Sequence, residues 1–234
     1  MDTAIADASN LAESGFPALM IENFGDIPFF ADEAPPETVA AITVAVTAVK
    51  RAVGLPLGVN VLRNDVLSAL GIAAATGAVF VRVNVLTGIM YTDQGPIIGR
   101  AAEVLRKRRD LAPDVEIWAD VMVKHATPPA GTDAGRAASD TVERGLADAV
   151  IVSGSGTGTE LDLDQARDVR VAIPKEARIV IGSGASAENL SRFLDVADSV
   201  IVGSSIKVDG DARNRVDPLH AEQFIEVARD NGLV

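Results

Sequence analysis

The chain has 234 residues, a formal net charge of −12, no cysteine and two histidines, His125 and His220. That excludes a disulfide scaffold, a thiolate metal centre and a cysteine nucleophile, and it leaves no basic stripe to neutralise nucleic-acid phosphates. Residues are 48% hydrophobic but only 4% aromatic, so the core must be aliphatic, as in parallel strands covered by helices, and the length suits one α/β domain over residues 1–234.

The N-terminus "MDTAIADASN" has no basic segment before an apolar one, and no apolar run reaches 18 residues. Neither a signal peptide nor a spanning helix is expected, and the protein reads as cytoplasmic. Asp outnumbers Glu 21 to 12 and Arg outnumbers Lys 16 to 5, a surface balance expected of a halophilic cytoplasm. The short basic cluster at 106–109 reads as a helix end.

After an opening helix at 3–15, β-branched runs alternate with helical patterns. The strands are expected at 17–23, 56–62, 79–86, 115–124, 148–154, 177–184 and 198–205. The helices lie between them, at 36–54 with Pro36 near the start and Gly54 past the end, then at 64–77, 97–110, 135–147, 163–173 and 186–197, with a last one at 218–232. Such repetition implies parallel strands joined by right-handed crossovers. No GxGxxG follows the first strand, which disfavours a dinucleotide-binding open sheet.

The glycine turns after the last two strands fit a TIM (β/α)8-type barrel, where the loops after strands seven and eight commonly hold phosphate. Such a barrel needs eight strands and the chain supplies seven, so the first is missing. Either residues upstream of Met1 were lost to a late start, or another segment or partner closes the gap. Free edges near 17–23 and 198–203 would otherwise carry strain or favour a homo-oligomer.

Strand ends of a parallel barrel converge on one face, and here they carry Glu22 and Asn23, Asn60 with Arg63, Asn64 and Asp65, Asn84, Lys124 with His125, and Ser153. Period two puts Asp120, Met122 and Lys124 on one side of their strand and Arg82 with Asn84 on one side of theirs. An unpaired buried carboxylate is costly, so Arg82 is expected to pair with Asp120, Glu22 or both, as structural support. Lys124 suits a cationic clamp, a general acid or a Schiff-base amine, or is a solvated strand end. His125 is a proton shuttle or a strand-loop cap. Glu22 and Asp65 are candidates for a general base or for oxygen ligands to a divalent ion such as magnesium, with Asp93 in "YTDQG" a third. Asp65 reads equally as a helix cap and Asp93 as an Asx turn. No zinc-type spacing is present, and no metal ligand set is assigned.

Glycine and free N–H groups at Gly182, Ser183, Gly184 and Ala185, continuing to Ser186, and at Gly203, Ser204 and Ser205 are expected to hold a phosphate. The loop "SGSGTGTE" (153–160) is expected to close over a ligand or to be a plain surface loop.

The blocks "ENFGDIPF" (22–29), "PLGVNVLRND" (56–65), "VRVNVLTGIMYTDQG" (81–95), "WADVMVKHA" (118–126) and "ADSVIVGSSIKVDG" (197–210) closely resemble the BtpA/SgcQ family. The resemblance covers nearly the whole chain. It implies a TIM barrel of the ribulose-phosphate-binding type. It also implies a role in photosystem I biogenesis in cyanobacterial members, whereas other members occur without any photosystem. Members normally begin with a strand ending in a His-Leu-Pro-Leu-Pro-Gly-like turn, absent here, which leaves that turn's contribution to the site open. The expected function is an enzyme acting on a phosphorylated sugar or related phosphate ester, of isomerase or aldolase-like lyase type. The alternative is a non-enzymatic assembly or stability factor.

Overall fold

The computed structural model describes residues 1–154, 156 and 162–233, so most of the loop expected at 153–160 lies outside the described residues. The helices start and stop where backbone groups find partners. α1 (Asp2–Ser14) ends at Gly15 with φ 102°. After β1 (Leu19–Glu22), α2 (Pro36–Val53) begins with proline and buries Ile42, Val46 and Val49 along one stripe. β2 (Leu57–Asn60), α3 (Val66–Thr76) and β3 (Phe80–Val83) follow, and both strands are buried throughout, as strands covered on two faces should be.

The periodicity predicts a helix from 97, but β4 (Ile89–Thr92) and β5 (Gly95–Ile98) form a hairpin instead, and α4 starts only at Ala101 and runs to Leu111. Gly95 adopts φ 98° at the turn, and the Thr92 hydroxyl donates to Gly95 O at 2.8 Å. β6 (Glu116–Val121) returns to the main sheet, and β7 (Ala126–Thr127) pairs antiparallel with β4. The helix expected at 135–147 is divided into α5 (Ala134–Ser139) and a wider turn at Asp140–Arg144.

β8 (Ala149–Val152), α6 (Leu163–Ala172), β9 (Arg178–Ile181), β10 (Ser199–Val200) and α7 (Pro218–Asp230) complete the chain. The helix expected at 186–197 is only a 3-10 turn at Leu190–Phe193. Asn189 explains this: its side chain accepts from Ser186 N at 2.8 Å and donates to Gly184 O at 2.8 Å, bonds that compete with helix formation.

The main sheet has the order β1-β2-β3-β6-β8-β9-β10, parallel throughout. It is a curled half-barrel of TIM type. Among the described residues β1 pairs only with β2 and β10 only with β9, so the two edges stay open. The helix layer nevertheless closes, because α1 packs against both α2 and α7. Phe16 and Phe224 stack with ring centres 6.0 Å apart, and Arg215 Nε donates to Asp7 at 2.9 Å.

Inside the sheet, Arg82 forks onto Asp120, with Nε and Nη2 each 2.8 Å from a carboxylate oxygen. Both side chains are almost fully buried, at 3% and 0% exposure. Burial opposes the charge on Arg82, yet Asp120, with Glu22 beside it, outweighs that cost and holds the guanidinium more firmly protonated than usual. Removing one partner of such a pair strands the other charge. Asp120→Ala is therefore expected to lose roughly 3–5 kcal/mol of stability in urea denaturation. A loss under about 1 kcal/mol would show that the fork does not hold β3 to β6.

Candidate active site

The C-terminal strand ends and the loops beyond them enclose a cavity of about 830 Å³. Glu22, Asn60, Arg82, Asn84, Lys124 and His125 all face it. The cavity is also lined by the apolar side chains of Phe24, Ile27 and Phe29, by the segment Asp209–Arg213, and by Asp93 at the hairpin tip. The hairpin is the element that periodicity missed, and its signal was the alternation of "IMYT" and "GPII" around Asp93-Gln94.

Several polar groups of the cavity are held by neighbours. Arg82 Nη1 stands 3.7 Å from Glu22 Oε1, so the arginine serves both expected carboxylates. Asn60 Nδ2 donates to Glu22 Oε1 at 3.2 Å, and Asn84 Nδ2 to Asp120 Oδ2 at 3.0 Å. Arg63, buried beside the floor, donates from Nη2 to Lys124 O at 2.7 Å. Its place just past a strand end was the only sequence signal for it. Arg213 had none, and pairs with Asp211, whose carboxyl is held at about 2 by that arginine.

Lys124 is reached through unusual backbone. β6 ends at Val121, then Met122 adopts φ 54° and His125 φ 56°, left-handed values uncommon for residues with side chains. This breaks the two-residue alternation. Met122 does not share a side with Asp120, because its sulfur accepts a bond from Gln165 Nε2 of α6. Lys124 is turned into the cavity, and its ammonium has no hydrogen bond or ion pair among the described residues. Burial, followed by the charge of Arg82, lowers its pKa, with Glu22 and Asp120 opposing. Burial and then Lys124 and Arg63 lower that of His125, which is therefore neutral at pH 7.

Two groups of expected site residues are placed otherwise. Asp65 caps α3: it accepts from Ser68 N at 3.0 Å and Ala34 N at 2.9 Å and does not line the cavity. Of the expected phosphate loops only Ser204 lies on the cavity wall. Gly182, Ser183, Gly184, Ala185, Gly203 and Ser205 do not, because the two loops bond to one another, with the Ser205 hydroxyl donating to Ala185 O at 2.7 Å. The helix termini expected behind them are short 3-10 turns at Leu190–Phe193 and Ser204–Ile206. No group of three or more His, Asp or Glu side chains is arranged to hold a metal among the described residues.

A parallel half-barrel with a cavity at its C-terminal strand ends, lined by both charged and apolar side chains, defines a protein of TIM-barrel type. The chain belongs to the BtpA family, whose model matches residues 1–230. It is 44% identical over 226 residues to the photosystem I biogenesis protein BtpA of Synechocystis sp. PCC 6803, covering 97% of this chain and 78% of that one. It is 46% identical over 235 residues to an uncharacterized protein of Thermococcus kodakarensis, covering 98% and 86%. Among solved structures it resembles phosphoribosyl anthranilate isomerase from Thermus thermophilus, with a TM-score of 0.64 at 12% identity and coverage of 97% and 94%. Thiamine phosphate pyrophosphorylase from Pyrococcus furiosus gives a TM-score of 0.62 at 14% identity, covering 97% and 90%. These last two likenesses show the fold alone.

An unfolded lysine titrates near 10.5 and Lys124 lower, so between those values the unfolded chain binds more protons and stability rises with pH. Lys124→Met is accordingly expected to stabilise the protein at pH 7, by a margin that shrinks as the pH approaches 10.5. Denaturant unfolding at pH 7 and pH 10 checks this. A margin that grew with pH would overturn it.

Proposed function

We propose that this cavity binds a phosphorylated sugar or related phosphate ester and catalyses its isomerisation or aldol-type cleavage. The observation that carries the reading is Lys124, a partly desolvated ammonium without a partner among the described residues, which faces the same cavity as the carboxylate Glu22. A base and a cation set across one cavity suit proton abstraction beside a carbonyl, with the cation stabilising the enediolate oxygen. Glu22 is the base, Lys124 the electrostatic partner, and neutral His125 the group that passes the proton on. Arg63 and Lys124 attract the anion, and Ser204 marks the wall where the phosphate rests. Both solved structures named above carry a phosphorylated compound in their names, which agrees with this reading. Magnesium, if required, would have to be held largely by the ligand itself.

A second reading has one observation in its favour, the 44% identical relative named for photosystem I biogenesis. In that case the protein is an assembly factor that acts through its surface, and cavity substitutions leave its role intact.

A thermal-shift screen of phosphorylated sugars, in high salt with and without magnesium, is expected to find a ligand that raises Tm. The rise should be roughly 5–10 °C at a hundred times Kd. Glu22→Gln is expected to lower kcat on that compound by about 10²–10⁴-fold with little change in Tm. If no phosphorylated sugar shifts Tm, and Glu22→Gln with Lys124→Met leaves the biological role intact, the second reading stands.

A further inference from the structure

We infer that the cavity floor, at Asn84 with Ser153 behind it, recognises a hydroxyl group of the ligand, so that the bound compound is a polyol or sugar rather than an acid. The inference deepens the proposed function and relies on it only for the phosphate at the ligand's other end.

Asn84 is 3% exposed and lines the cavity. Its Nδ2 donates to Asp120 Oδ2, while Asp120 also receives both donors of the Arg82 fork. A carboxylate held by an arginine is an acceptor only, so the amide cannot turn over: the nitrogen must face Asp120, and Oδ1 must point away as an acceptor. That oxygen is buried and has no partner among the described residues. Glu22 orients Asn60 in the same way, by taking its Nδ2. Ser153, 4% exposed, also has a buried hydroxyl without a partner among the described residues. A Cβ at Gly182 would stand 2.5 Å from Ser153 Oγ and 3.4 Å from Arg82 Nη2. Glycine at 182 therefore lets Ile151, the Ser153 hydroxyl and the Arg82 guanidinium close in on one point, which sets that hydroxyl beside the fork.

Buried acceptors of this kind are rare because they forfeit hydration, and they persist where another molecule completes them. What completes Asn84 Oδ1 is an O–H or N–H donor. A phosphate or carboxylate oxygen would face it with like partial charge. A ligand hydroxyl satisfies Asn84 Oδ1 by donating to it, and a hydroxyl that reaches the buried Ser153 can also accept from that side chain. The floor thus selects for hydroxylated carbons, and the cations Arg63 and Lys124 are left for the anionic end.

Calorimetric titration tests this with four probes: inorganic phosphate, glycerol 3-phosphate, ribose 5-phosphate and unphosphorylated ribitol. For the wild type, affinity is expected to rise as hydroxyls are added to phosphate. Asn84→Leu is expected to weaken ribose 5-phosphate roughly tenfold and leave inorganic phosphate unchanged. Ser153→Ala keeps the Asp120 network whole and serves if Asn84→Leu fails to fold. It is expected to raise the Tm of the free protein while weakening ribose 5-phosphate. Equal affinity for the three phosphate probes, or the same gain from hydroxyls in both variants as in the wild type, overturns the inference and leaves the phosphate-ester reading standing. Binding of ribitol alone, lost in Asn84→Leu, supports the inference and ends that reading. Binding of none overturns both.

Discussion

The Arg82–Asp120 fork is the constraint on which the interior depends. It joins β3 to β6 through two bonds of 2.8 Å in a region with almost no exposed surface. Because Asp120 receives both donors of the Arg82 fork, Asn84 can present only its nitrogen to it. Because Arg82 also reaches Glu22, the carboxylate at the end of β1 is tied to a residue two strands away. One buried ion pair thereby sets the orientation of groups on four strands. It adds little net stability over an apolar pair of the same size. Its effect is to fix which atoms face the cavity.

Around this support the cavity wall interleaves opposite charges. Arg63, Arg82, Lys124 and Arg213 are set among Glu22, Asp93, Asp209 and Asp211. A wall of one sign would attract a polyanion without regard to its shape, whereas an interleaved wall demands that each group of a ligand fall in its place. Lys124, like Arg63, is a cation in that wall that burial and Arg82 both disfavour. Such a residue works against stability, as groups at functional sites often do.

The architecture was legible in the sequence because it rests on repetition. Aliphatic runs bounded by helix signals located the seven main strands, and the count alone exposed the open edge. The Asp120 pairing was legible from cost, since a carboxylate in an apolar strand demands a cation. What was not legible depended on geometry beyond the strand ends. Left-handed backbone at Met122 and His125 broke the alternation that would have put Met122 on the interior. Asn189 converted an expected helix into a short turn, and with it went the helix terminus expected to meet phosphate. Asp65 had two readings of equal merit, and only the positions of Ser68 N and Ala34 N chose the cap.

The contact between α1 and α7 has a consequence for biosynthesis. The helix layer is closed by Phe16 on Phe224 and by Asp7 with Arg215, a pair separated by 208 positions. On a ribosome that makes about 5–20 residues per second, α1 is made well before α7 and has no α7 to pack against in the meantime. For that interval the face of α1 that α7 will cover is open to other chains. Until α7 is made, the face of α1 that it covers stays exposed, so the nascent protein is prone to aggregate over that interval.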